Sequence, residues 1–235
     1  MNNLNKQSSL YQLSHSGTQL DDDSVNYVMY FLTTLYTPKY GSKIVLVNSL
    51  YMERFMEGKE RFNIYISNSM KECKEEEEEE EVRRGPRNVL YLLPLYGEKH
   101  WSLLVRIPHV KCWLHFDSIG GYHLAYAKTV AHKIDCDIYR KNIEDKDEKD
   151  VYEFIYFKDV PRQDDNWECG IYLLMYAYTM IHYSNTFVLS DDHDTIDDYK
   201  EDLFNYLRKH MPLIKENKRK IFVSSIIALL TAPTK

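Results

Sequence analysis

The sequence predicts an α+β domain, and two patterns carry the prediction. Apolar residues recur at helical spacing towards both ends of the chain. Between them lies a block of short runs that are either continuously apolar or alternate apolar with polar. The resulting order is helix, then strands interleaved with helices, then helices, with no internal repeat. At 235 residues the chain fits one domain with a proper core.

Residues 1–19 read as a polar, loosely ordered arm ahead of a single domain over 20–235. Asp22 or Asp23 can cap a first helix, whose Val25, Val28, Met29, Leu32 and Leu35 fall on helical spacing. Lys43–Val47 is a short strand, and Asn48 or Ser49 can cap a helix to Met56. An acidic insertion at about 70–87 contains a lysine followed by seven glutamates, Lys74–Glu81, and closes at Gly85-Pro86, so it reads as a solvated surface loop. Asn88–Leu95 reads as a buried strand. Trp101–Ile107 and Val110–Phe116 alternate and are joined at Pro108-His109 as a hairpin. Gly120-Gly121 breaks the chain before a helix over 122–134, and Ile143–Val151 is a charged loop. A strand over 152–158 precedes a helix from Cys169 to about Tyr183, and two helices near Asp197–His210 and Glu216–Leu230 finish the domain.

Composition narrows the function. A net charge of −6 argues against nucleic acid as the partner, because phosphate binding needs a basic face. No run approaches the ~18–20 apolar residues of a membrane span, and the polar N-terminus lacks the apolar stretch of a secretory signal. The four cysteines, 73, 112, 136 and 169, have no C-x-x-C spacing. A reducing compartment follows, cytoplasm or nucleus, or host cytosol for an intracellular bacterium or parasite. No metal site is expected: Cys112 and His115 fall on opposite sides of a strand. With the eight glycines scattered, no phosphate loop and no cofactor are expected either. The expected state is a monomer.

The chemistry gathers around Cys169. It opens a predicted helix after the polar run Gln163 to Glu168 and is followed by Gly170. Unpaired N–H groups at a helix start favour thiolate over thiol, and a glycine there lets a substrate backbone come close. A lone free cysteine is more often a small buried hydrophobe, so a base and an orienting group decide the matter. His100 stands where one strand begins and Asp117 where the next one ends. If those strands pair as a hairpin, the two become neighbours despite lying 17 residues apart. A nucleophile, a base and an orienting carboxylate are then all present.

The runs H-W-S-L-L-V at 100–105, F-D-S at 116–118 and Q-x5-C-G at 163–170 resemble the sentrin-specific, ubiquitin-like-protein protease family of cysteine peptidases. The stretch A-Y-A-K-T-V-A-H-K-I at 125–134 and the tail from Met211-Pro212 to Leu230 are similar to its deneddylase branch. The resemblance implies a papain-like fold with a central mixed sheet flanked by helices. It implies Cys169 as nucleophile, His100 as base and then acid, Asp117 as orienting carboxylate, and Gln163 with the Cys169 backbone N–H as oxyanion hole. It implies that Trp101 covers a narrow channel admitting only the Gly-Gly tail of a modifier, since glycine alone lacks a Cβ. Relatives carry Trp-Leu-Asn/Asp-Asp ahead of the first helix, where this chain has Gln19-Leu20-Asp21-Asp22. Asp22 matches the acidic position that meets the modifier's tail. Gln19 replaces the second channel wall, so either the clamp is looser or another residue closes it.

The expected activity is therefore cleavage after Gly-Gly of a ubiquitin-like modifier, with the neddylation modifier ahead of SUMO and ubiquitin. Two readings compete: an effector-type acetyltransferase using the same triad, and a protein that binds a modifier without cleaving it. Trp101 and the deneddylase-like register favour proteolysis over the first. A pure binder has no use for an intact Cys, His, Asp and Gln set, which weighs against the second.

Overall fold

The computed structural model describes residues 3–15, 17–36, 42–62, 88–139, 152–186, 195–211 and 216–232. The acidic insertion and the charged loop at 143–151 lie outside the described residues. A sheet of five strands runs in the order β1 (Ser42–Leu46), β2 (Asn88–Gly97), β3 (His100–Ile107), β4 (Cys112–Phe116), β5 (Glu153–Tyr156). The outer pairs β1–β2 and β4–β5 are parallel and the inner pairs antiparallel, so the sheet is mixed. The helices are α1 (Asn3–Ser14), α2 (Asp22–Leu35), α3 (Ser49–Met56), α4 (Leu124–Tyr139), α5 (Cys169–Thr186), α6 (Ile196–His210) and α7 (Glu216–Thr231). The α+β expectation is met.

Strand alternation distributes the core over both faces of the sheet. Leu103, Val105, Cys112, Leu114 and Phe116 pack on one side with Val28 and Leu32 of α2, Leu173, Leu174 and Ala177 of α5, Leu207 of α6 and Ile226 of α7. Leu93, Leu104 and Trp113 pack on the other with Met52 and Phe55 of α3 and Val130 and Ile134 of α4. Covering both faces explains why β3 and β4 are buried along their whole length. Cys112 and His115 do point apart, as the period of two requires. Among the described residues no helix is long and apolar enough to cross a membrane.

Local chemistry sets the ends of the elements. Asp21, one residue earlier than expected, caps α2: its carboxylate accepts the Ser24 N–H at 2.8 Å. Asn48 caps α3 in the same way through Leu50. Thr195 and Asp198 form a capping box at α6, whose last turn carries Arg208, Lys209 and His210 against the helix dipole. The β3–β4 link is a short 3-10 turn, Pro108–Val110, closed by Lys111 at φ +47°. Between β2 and β3, Gly97 pairs with His100 across Glu98 and Lys99. Both of those loop residues have positive φ, +49° and +61°, the pattern of a type I′ hairpin.

The N-terminal residues differ from the expected loose arm. Residues 3–14 form α1, with Ser9 and Leu13 buried and Leu10 packed on the main core. Gln12 fastens the helix to the start of α2, donating to Asp21 Oδ2 at 2.6 Å and accepting from the Asp21 N–H at 3.0 Å. Two leucines docking among polar residues are sufficient where the rest of the face is tied by hydrogen bonds. Leu13→Ala should therefore lower unfolding free energy by about 2–4 kcal/mol in urea titration. Tyr11→Ala, at a position 60% exposed, should stay within about 0.5 kcal/mol. Equal, small effects from both would mean that α1 is not docked.

Candidate active site

The site lies where β3 begins, β4 ends and α5 begins. Cys169 is the first residue of α5. The Asp165 carboxylate prepares that start by accepting the N–H groups of Trp167 at 3.1 Å and Glu168 at 2.9 Å. The pairing of β3 with β4, Leu103 opposite Phe116, carries His100 to Asp117. His100 Nε2 and Asp117 Oδ1 stand 2.8 Å apart, and both side chains are buried. Asp117 also accepts the Ile119 N–H on Oδ1 and the His123 N–H on Oδ2, each at 2.9 Å. The other His100 nitrogen, Nδ1, is buried without a hydrogen bond.

The electrostatics follow from these contacts. Burial pushes the Asp117 carboxyl up, but the bonds from His100, His123 and Ile119 outweigh it and hold the group well below 3.8. Burial likewise disfavours the charged His100 ring, yet the Asp117 bond and the neighbouring Cys169 sulfur carry it from 6.5 up to about 9. For Cys169, burial opposes the thiolate. His100, the Trp101 backbone N–H and the Gln19 amide together overcome that and bring the thiol below 9.0. Both shifts run toward a thiolate–imidazolium pair.

The residues just before α2 close one side of the site. Gln19 Nε2 donates to the Lys99 carbonyl at 2.6 Å and stands 3.5 Å from Cys169 Sγ. The Trp101 indole donates to the Leu20 carbonyl at 2.9 Å, packs on Tyr96 at 4.7 Å and is only 1% exposed. A Cβ on Gly170 would come within 3.0 Å of Leu20 Cβ. The space that a side chain at Gly170 would need is taken by Leu20 of the chain itself. Trp101 adjoins the site through its backbone N–H, which is directed at Cys169, and its indole is tied to the same segment.

Two expected site residues have other partners. The Gln163 amide accepts from Ser118 Oγ at 2.5 Å and donates to the Asp165 carbonyl at 2.5 Å, leaving one N–H uncommitted. Asp22, half-buried at the start of α2, accepts from Ser49 Oγ at 3.4 Å. Its carboxyl is raised by burial, with Ser49 opposing and Glu53 adding. No bond connects it to the triad among the described residues. Sequence reasoning missed Ser118, which fastens Gln163, and His123. The His123 ring is held between Ser102 Oγ at 3.0 Å and the Gly97 carbonyl at 2.9 Å, 4.8 Å from the His100 ring. Their sequence signal was slight: a serine after the aspartate and a histidine after a glycine pair.

Residues 18–216 match the model of the Ulp1 protease family, C-terminal catalytic domain. The chain belongs to the Ulp1 protease family. Human sentrin-specific protease 8 is 32% identical over 78 residues, a match spanning 33% of this chain and 33% of that relative. Among solved structures, a de-sumoylating protease superposes with a TM-score of 0.57 at 11% identity, over 98% of this chain and 85% of the other. The C-terminal Ulp1 domain in complex with Smt3, the yeast ortholog of SUMO, gives 0.51 at 15% identity over 98% and 97%. The Xanthomonas campestris effector XopD bound to ubiquitin gives 0.51 at 15% over 92% of each chain. At these identities the superpositions establish the shared fold.

A depressed carboxyl pKa stabilises the fold above its ordinary value and loses that effect as pH falls through its folded value. The urea midpoint gap between wild type and Asp117→Asn should thus be full between about pH 5 and 6.5, narrow as pH drops below 3.8, and narrow again as pH rises towards about 9, where His100 gives up the proton that Asp117 stabilises. A gap unchanged at about pH 3 would show that the three donors do not hold Asp117 ionised.

Proposed function

We propose that this chain is a cysteine protease that hydrolyses the peptide or isopeptide bond after the Gly-Gly tail of a ubiquitin-like modifier. The observation that carries the reading is the site itself: a thiol at the start of α5, a buried His100–Asp117 pair at 2.8 Å, and amide donors around the sulfur. Family membership supports it, as do neighbours solved with Smt3 and with ubiquitin.

The Cys169 thiolate attacks the carbonyl of the terminal glycine, forming an S–C bond. The carbonyl oxygen becomes an oxyanion, for which the Cys169 backbone N–H and the uncommitted Gln163 N–H are the donors in reach by role. The C–N bond then breaks, and His100 gives its proton to the departing amine. Neutral His100 next takes a proton from water, which attacks the thioester and releases the modifier's carboxylate and the thiolate. Asp117 keeps the ring oriented and supports its charge throughout.

Among modifiers we favour the neddylation modifier, on the similarity of 125–134 and of the C-terminal tail to the deneddylase branch. The Trp101 indole tied to Leu20 beside the site supports a tail without side chains. An unpaired nucleophilic thiol suits the cytosol or nucleus.

Probes made from the neddylation modifier, SUMO and ubiquitin, each with a thiol-reactive group in place of the last glycine, test this directly. The neddylation-modifier probe should label wild type fastest and leave Cys169→Ala unlabelled. Labelling that survives Cys169→Ala sinks the assignment, and self-acetylation from acetyl-coenzyme A without any probe labelling transfers it to acetyl transfer. With a cleavable modifier substrate, Asp117→Asn should reduce turnover by roughly 10³–10⁴-fold while leaving binding in place. Turnover near wild type would mean that another group orients His100.

A further inference from the structure

Gln19 stands where the family resemblance calls for an indole, and it makes contacts that an indole cannot make. Its amide nitrogen carries two hydrogens. One goes to the Lys99 carbonyl at 2.6 Å, and the other is directed at Cys169 Sγ at 3.5 Å. Lys99 is the left-handed turn residue immediately before His100. The same amide is therefore anchored to the turn that launches the base and aimed at the nucleophile. An indole has one N–H and could serve only one of the two. The segment that carries Gln19 is itself immobilised, by Trp101 on the Leu20 carbonyl, by Gly170 against Leu20, and by Gln12 of α1 on Asp21.

We propose that Gln19 is a catalytic residue of this chain: its side-chain amide donates a hydrogen bond to the Cys169 thiolate and fixes the sulfur beside His100. A donor favours the charged form of its acceptor, because a bond to an anion is stronger than a bond to a neutral thiol. Gln163, held by Ser118 and Asp165, keeps a single N–H for the carbonyl oxygen. The two glutamines thus divide the work, one serving the sulfur before attack and the other the oxygen after it. As the S–C bond forms, negative charge leaves the sulfur for the carbonyl oxygen. Gln19 then loses its charged acceptor and remains held by Lys99. A less basic thiolate is a slightly weaker nucleophile, with a Brønsted slope of about 0.4–0.5. Each unit of lowered pKa gives about tenfold more thiolate below the inflection, which outweighs that loss.

The inference rests on Cys169 being the nucleophile proposed above, but its readout needs no modifier. Iodoacetamide alkylation of the full chain, followed at the Cys169 peptide by mass spectrometry over about pH 5–10, reports the thiolate directly. Gln19→Met keeps the length of the side chain and removes both donors; Gln19→Glu puts a negative charge beside the sulfur. The expected result is an inflection about one unit higher in Gln19→Met, seen as about three- to fourfold slower alkylation on the acid side once the greater nucleophilicity of the more basic thiolate is counted, and higher again in Gln19→Glu. If Gln19 only tethers Lys99, Gln19→Met lowers the melting temperature while its alkylation profile superimposes on wild type, and the proposal is overturned. A downward shift in Gln19→Glu overturns it as well. Should Gln19→Met fail to fold by circular dichroism, Gln19→Glu carries the test alone. Failure of the modifier-probe panel would leave these profiles untouched, so the two ideas fail separately.

Discussion

The Asp117 carboxylate is the point from which the arrangement of the site follows. Taking an ionised carboxylate out of water is expensive unless donors replace the water. Here an imidazole and two backbone N–H groups do so. The backbone donors, Ile119 and His123, come from the turn that leaves β4, so the course of the chain after the strand is shaped around the charge. The imidazole comes from the neighbouring strand, so the register of β3 against β4 is bound to the same requirement. A shift by one residue would turn His100 to the other face and leave the carboxylate short of a donor.

Around that fixed pair the rest of the site is stitched by contacts from distant parts of the chain. Leu20 links the segment ahead of α2 to both other sides, through its carbonyl to Trp101 and through its side chain to Gly170. The sheet supplies rigidity because both of its faces are covered, by α1, α2, α5, α6 and α7 on one side and by α3 and α4 on the other. Helix α1 has no side chain near the sulfur among its described contacts, yet through Gln12 and Asp21 it steadies the segment bearing Gln19. Position and chemistry are thus separated: helices and caps far from the sulfur hold the segments that bring Gln19, His100, Asp117 and Cys169 together.

Much of this was legible in the sequence, and for physical reasons. Strand alternation at 101–116 is a strong periodic signal, and a hairpin brings its ends together without further information, so His100 and Asp117 were found as neighbours. The residues 21–23 are all aspartates, so the cap was misplaced by one position, a difference periodicity does not resolve. Helix α1 was read as a loose arm because only Leu10 and Leu13 mark its inner side and hydrogen bonds do the remainder. The turn at Glu98-Lys99 carries no Asn-Gly signature, although both residues take positive φ. Gly170 was read as room for a substrate, and the space a side chain there would need is taken by Leu20, about 150 residues away in sequence, beyond any local pattern. Gln163 shows the opposite: spacing located it, but its bonds to Ser118 and Asp165 depend on a loop geometry that spacing does not encode.

The span of these contacts sets an order of assembly. His100 and Asp117 are 17 residues apart, within reach of a hairpin that closes on a microsecond scale. The contact between Gln19 and Cys169 bridges 150 residues, and that between Gln19 and Lys99 bridges 80. Closing loops of that length is costly in entropy and comes late, after the sheet exists to receive α5. During synthesis the imidazole and its carboxylate are present long before residue 169 leaves the ribosome. The Cys169 sulfur therefore meets His100 and Gln19 only when the last third of the chain has been made and docked, and a half-made chain holds the imidazole–carboxylate pair without it.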